Sequence, residues 1–291
     1  MSAPPPWVDD LFPFPTPPAL AKLIDIAWEH AFTDEDLYDE CLLASHFGFM
    51  FDLEAVPAAP DGWEYTYPGP ALASGVRQDF VPLWATPELV RFGSLGTGTY
   101  VGWVVLAPEL NGADHPVALF GDDAGMRLIA RDTRAGLEWM LSLGLRRQNL
   151  RDDARALIAR LAAELDIHPA PEHGITPDGS DAVVPLEPAV PSGWRHVPGR
   201  DGTGVGVLAP ADAFAAQGPV NSGELDEILA GADRLLDAGF PASALLELTD
   251  AFHDDPDRFA GLHPLWARAY RDLGRPRFAD RLALMATMYD R

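Results

Sequence analysis

Among its 291 residues the chain has a single cysteine, Cys41. No internal disulfide can form, and no Cys-x-x-Cys pair is present to hold zinc. Cys41 lies in DLYDECLLASHF, where Leu37, Cys41 and Leu42 share one face of an expected helix, so the thiol reads as buried and inert. No run of about 18 apolar residues occurs, which excludes a helical membrane span. The opening MSAPPPWVDDLFPFPTPP lacks the basic start and apolar core of a secretory signal, and the expected location is the cytoplasm. Basic charge is scarce: 21 Lys and Arg face 44 Asp and Glu, for a net −23. The deficit is spread along the chain, with 8 basic against 21 acidic side chains in residues 1–150 and 13 against 23 in residues 151–291. Neither part therefore hides a basic footprint for nucleic acid, and an anionic membrane surface would repel both. The acidity either keeps the protein soluble or attracts a basic protein partner.

Cofactor and catalytic motifs are missing as well. GSLGTGTYVGWVVLAPEL carries glycines at 93, 96, 98 and 102. A dinucleotide loop needs Gly-x-Gly-x-x-Gly after a strand and before a helix, whereas here the order is reversed and a Val-, Trp- and Tyr-rich strand follows. A P-loop needs Gly-Lys-Ser or Gly-Lys-Thr, and there is none. Without a lysine or a helix N-terminus the physics of phosphate binding is absent, so the glycines read as a turn between strands. No Gly-x-Ser-x-Gly elbow and no His-Glu-x-x-His occur. No catalytic residue, cofactor or metal is expected. His168, Glu172 and His173 in HPAPEH could meet a metal, but the flanking prolines deny them a helix face. Asp122 and Asp123 are explained by turn chemistry, since strand or turn neighbours point apart.

What is present is a folding composition, 47% hydrophobic, long enough for two compact units. The first 18 residues are rich in proline and read either as an arm for an SH3-like groove or as a segment folded back through Trp7, Phe12 and Phe14. Helices are expected over TPPALAKLIDIAWEHAF, with Leu20, Leu23, Ile24 and Ala27 at helical spacing, and over TDEDLYDECLLASHF. From Phe49 to Ala107, prolines and glycines punctuate short apolar runs that read as strands. HPVALFGDDAGMRLIA reads as a hairpin turning at Asp-Asp-Ala-Gly. Two helices follow: DTRAGLEWMLSLGL, capped by Asp132 or Thr133 with Leu137, Met140 and Leu141 inward, and RDDARALIARLAAELD, with Leu157, Ile158, Leu161 and Leu165 on one face. Residues 168–221 have the composition of a linker, with GTGVGVLAP at 202–210 as a small hairpin or extra strand.

In the tail, Ala232, Gly239, Ala244 and Ala251 recur as Ala267, Gly274, Ala279 and Ala286, each pair 35 residues apart. Small residues let two helices of a hairpin approach closely, and glycine permits the turn between them. This pattern resembles the tetratricopeptide repeat, whose units have about 34 residues. Leu235 and Tyr270 also match, and Pro256 ends the first unit. Two units over 222–291 are few for a free solenoid, so they are expected to lean on the preceding domain or on another chain. The expected fold class is α+β: an antiparallel or mixed sheet flanked by helices, followed by a small all-α helical-hairpin unit. The expected domains are 1–167, 168–221 and 222–291.

The run FGSLGTGTYVGWVVLAPEL…HPVALFGDDAGMRLIARDTRAGLEWMLSL resembles the SUKH superfamily, known for bacterial immunity proteins and fungal cell-wall regulators. The order is similar: Gly-rich turn (Gly96, Gly98), strand, Pro-Val strand (Pro116, Val117), Asp-Gly turn (Asp123, Gly125), and a helix carrying Leu137. The likeness covers residues 16–145. It implies a partly open sheet beside helices, no catalysis, and binding to other proteins such as nuclease or deaminase toxins. The acidic surface would then mimic nucleic acid and steer toward a basic toxin. The expected function is therefore non-enzymatic protein binding of the immunity type, with Trp84, Trp103, Asp122 and Asp123 as candidate contact residues. One alternative is a hydrolytic site assembled from scattered residues, such as His115 with Asp122 or Asp123. Another is a scaffold that self-associates through the helical tail.

Overall fold

The computed structural model describes residues 17–23, 50–51, 87–96, 99–111, 114–121, 125–146, 150, 152–174, 188, 190–200, 205–216 and 224–289. The expected proline-rich arm before Pro17, the expected helix around Cys41 and the runs GWEYTYPG and FVPLWAT lie outside these residues. The chain divides into two compact units. One comprises Met1–Phe80, Val90–Val104 and Asn111–Pro185; the other comprises Val81–Leu89, Val105–Leu110 and Leu186–Arg291. The units do not follow the division at 167 and 221 expected from composition. Two short segments preceding and following the strand pair at 89–104 belong with the C-terminal helices, for a reason given below.

In the first unit, TYVGWV forms strand β3 (Thr99–Val104), and every residue from Tyr100 to Val104 is buried. A continuous apolar run of this kind fits a strand covered on both faces. The sheet has the order β1-β2-β3-β4-β5, with β1 Met50–Phe51, β2 Leu89–Gly96, β4 Val117–Gly121 and β5 Gly125–Ala130. Antiparallel registers run Met50↔Ser94, Val101↔Leu119 and Leu119↔Arg127. Gly93 and Gly96 lie in β2, and β3 begins at Thr99, so the Gly-rich run joins two strands and leads into no helix. The expected hairpin at Asp-Asp-Ala-Gly is present as the β4–β5 pair, closed by Gly121↔Gly125. Asp122 and Asp123 themselves lie outside the described residues.

Residues 18–23 form α1, with Leu20 and Leu23 buried. Pro108–Asn111 is a single turn, α2, whose first three residues belong to the second unit. Helix α3 (Thr133–Leu145) starts at Asp132, whose carboxylate accepts from the Ala135 N–H at 2.8 Å, an N-cap that satisfies one of the donors a helix start leaves open. Leu137, Met140 and Leu141 face inward as their spacing predicts. Gly136 lets α3 lie directly on β4, since a Cβ there would come within 2.8 Å of Val117 Cγ2. Helix α4 (Asp152–Leu165) buries Ile158, Leu161 and Leu165, while Leu157 is half-buried at the rim.

In the second unit the 35-residue spacing becomes geometry. Helices α5 (Leu225–Asp237) and α6 (Pro241–Asp254) form one antiparallel hairpin; α7 (Phe259–Asp272) and α8 (Pro276–Tyr289) form the next. Both hairpins turn identically. Gly239 and Gly274 adopt φ of 82° and 76°. The following residues, Phe240 and Arg275, donate to the Leu235 and Tyr270 carbonyls, both at 2.8 Å. This is a Schellman ending, in which glycine takes the left-handed conformation that costs other residues energy. Proline at 241 and 276 then starts the next helix, where its missing N–H does no harm. The six alanines of the repeat are all buried. Helix α6 is buried from Pro241 through Thr249, and its far end joins an aromatic cluster of Phe252, Phe259 and Trp266. The expected linker is structured in part: β6 (Trp194–Val197) pairs with β7 (Val207–Pro210), and the latter is the strand anticipated in GTGVGVLAP. Ala215 N–H then donates to Ser243 of α6 at 2.9 Å.

Candidate functional site

Three constellations carry chemistry. The first lies where β3, β4 and α3 meet. Asp114 Oδ1 accepts from the His115 N–H (2.9 Å), the Thr133 N–H (2.8 Å) and the Thr133 hydroxyl (2.6 Å). Trp103 Nε1 donates to the same hydroxyl at 2.8 Å. Thr133 is thus saturated, with its proton on Asp114 and its lone pair on the indole. Trp103 is fully buried, its ring centroid 4.3 Å from that of Phe92 and tilted by 43°. It is a core residue and has no surface to offer a partner, contrary to its expected contact role. Beside it His115 is also buried, and burial lowers its pKa to about 4. A neutral imidazole 1% exposed is a packing group, out of reach of a substrate in solution. Of the other candidate contact residues, Trp84, Asp122 and Asp123 lie outside the described residues. His168 and Glu172 are exposed, and His173 pairs with Glu138 of α3 at 3.2 Å. Among the described residues no three His, Cys, Asp or Glu side chains gather as a metal site would need.

The second constellation is the polar centre of the second unit, which the spacing of residues did not reveal. Tyr270 of α7 donates its hydroxyl to Glu88, and both are buried. Burial first, then the charge of Glu88 and their hydrogen bond, raise the Tyr270 pKa well above its ordinary value. Arg275, at the turn into α8, is 3% exposed. It holds Glu109 through Nε (3.1 and 3.3 Å) and Nη2 (2.8 Å), and Nη2 also donates to the Leu208 carbonyl at 2.6 Å. Arg281 donates to the Leu89 carbonyl at 3.1 Å, and Val105 N–H to the Glu88 carbonyl at 2.8 Å. These bonds are why segments 81–89 and 105–110 belong to the helical unit. The Tyr270 hydroxyl, the Nε and Nη2 of Arg275 and the Nη2 of Arg281 each meet an acceptor in the same unit, so the cluster works as a fastening, although Arg275 Nη1 meets no hydrogen-bond partner among the described residues.

The third is a surface. Residues 224–257 carry ten acidic side chains and a single arginine, Arg234, whereas residues 258–289 carry two acidic side chains and six arginines. On α5, Asp226, Asp233 and Asp237 are spaced by 7 and 4 and share one helix face, and all three are exposed. Glu224, Glu227, Asp254 and Asp257 are exposed as well. Arg268 of α7 reaches across to Asp233 (3.0 Å) and Asp237 (2.8 Å), with Asp272 at 3.6 Å. The hydrogen bond to Asp237 and the three carboxylates hold its guanidinium further in the charged form. Arg234 of the hairpin itself, Arg258 on Asp255 and Arg200 on Asp250 add to Arg268, and ten carboxylates against these four cations leave the first helical hairpin net negative. Exposed carboxylates at helical spacing attract and orient cationic side chains, and screening by salt weakens that attraction. No family model matches this chain, and no curated protein matches it in sequence. Among the described residues no helix is long and apolar enough to cross a membrane.

Proposed function

We propose that this chain is a non-enzymatic protein-binding protein, of the immunity type implied by its resemblance to the SUKH superfamily, and that it engages a basic protein in the cytoplasm. The observation that carries this reading is the exposed acidic face of α5, Asp226, Asp233 and Asp237 with Glu224 and Glu227, on a hairpin holding ten carboxylates and one arginine. A basic partner, such as a nucleic-acid-directed toxin, meets there the charge pattern that it meets on its own target. The order of strand β3, strand β4, hairpin, strand β5 and helix α3 supports the same reading, because it is the order the family resemblance rests on. The acidic face belongs to the first of two repeat-like helical hairpins, an arrangement that builds extended surfaces for protein partners.

The test is retention of partners from source-cell lysate on immobilised protein at low salt, followed by a salt step. A parallel column carries the triple variant Asp226→Asn, Asp233→Asn, Asp237→Asn. These side chains are exposed, and exposed ion pairs stabilise by no more than about 1 kcal/mol, so the variant keeps its fold. A basic protein held by the native chain, released by salt and not held by the variant supports the reading. Retention that ignores both salt and the substitutions, or no retained protein at all, refutes it.

A further inference from the structure

We draw no further inference here: the strongest candidate, the buried polar cluster of Glu88, Tyr270 and Arg275 in the second unit, belongs to the fastening already described, and nothing among the described residues shows what ligand the Nη1 of Arg275 would take.

Discussion

The Arg275–Glu109 pair joins a guanidinium whose side chain is 1% exposed to a carboxylate that is 39% exposed, and this inequality makes a sharp prediction. Glu109→Gln leaves the arginine buried and charged, with the Leu208 carbonyl and one neutral amide oxygen as acceptors. An uncompensated buried charge of this kind destabilises by about 3–5 kcal/mol. Arg275→Met instead removes the buried charge, roughly keeps the volume, and leaves a carboxylate that water reaches. Its losses are one donor to Leu208 and the packing around the guanidinium. It also takes a positive charge from near Tyr270, although Glu88 keeps the Tyr270 hydrogen bond. The expected cost is about 1–3 kcal/mol. The double variant has neither charge and is expected to be no less stable than Glu109→Gln alone, which gives a coupling of about 2 kcal/mol. The assay is urea denaturation followed by far-UV circular dichroism on the native chain and the three variants, with the two units fitted as separate transitions. Equal costs for the two single variants, or a Glu109→Gln cost below about 1 kcal/mol, would refute the account of this pair as a buried charge held by one partner.

Other predictions follow the same logic. Gly136→Ala drives a methyl to 2.8 Å from Val117 Cγ2 and is expected to destabilise the first unit by about 1–3 kcal/mol, with Val117→Ala recovering part of it in the double variant, again by urea denaturation. Gly206 and Gly239 both have positive φ, but a Cβ at Gly206 would lie 2.5 Å from Pro198 Cα, whereas Gly239 has open space. Gly206→Ala is therefore expected to disrupt the β6–β7 hairpin, seen as loss of amide protection in β6, while Gly239→Ala costs only about 1 kcal/mol of conformational strain. His115 has its pKa lowered from 6.5 to about 4, so the native state favours the neutral ring. Its contribution is complete above pH 6.5 and is lost as pH falls toward 4, for a total of about 3 kcal/mol. His115→Gln is expected to flatten the stability of the first unit between pH 7 and 4, and an unchanged pH profile would contradict the burial argument. Tyr270, with its pKa raised, works in the opposite direction: its contribution is present below pH 10 and is lost as pH rises further, and Tyr270→Phe is expected to remove that alkaline decline.

Much of the local structure was legible from spacing and composition. Asp132 caps α3, apolar residues at helical intervals face inward on α3 and α4, and the reversed glycine pattern spoke for strands, which the sheet contains. The clearest case is the repeat of Gly239 and Pro241 as Gly274 and Pro276, which became two identical Schellman turns. Each of these depends on interactions between residues a few positions apart, where backbone sterics and helix periodicity act alike in any protein. Charge was legible too, because the concentration of carboxylates in 224–257 needs no coordinates.

Tertiary structure alone decided which polar residues are fastened inside. Tyr270 finds Glu88 across 182 residues, and Arg275 finds Glu109 across 166, separations that no periodicity encodes. These meetings moved the boundary between the units away from where composition placed it. Trp103 looked like an aromatic that could serve a surface or a core, and only its bond to Thr133 beneath α3 assigned it to the core. The HPAPEHG segment had the composition of a linker, yet Ser142, Arg146 and Glu138 take up its main-chain and side-chain groups. The physical reason is common to all of them. A local pattern sets a residue's backbone state and facing, but whether a polar group is buried depends on a partner that only the completed fold brings within hydrogen-bonding distance.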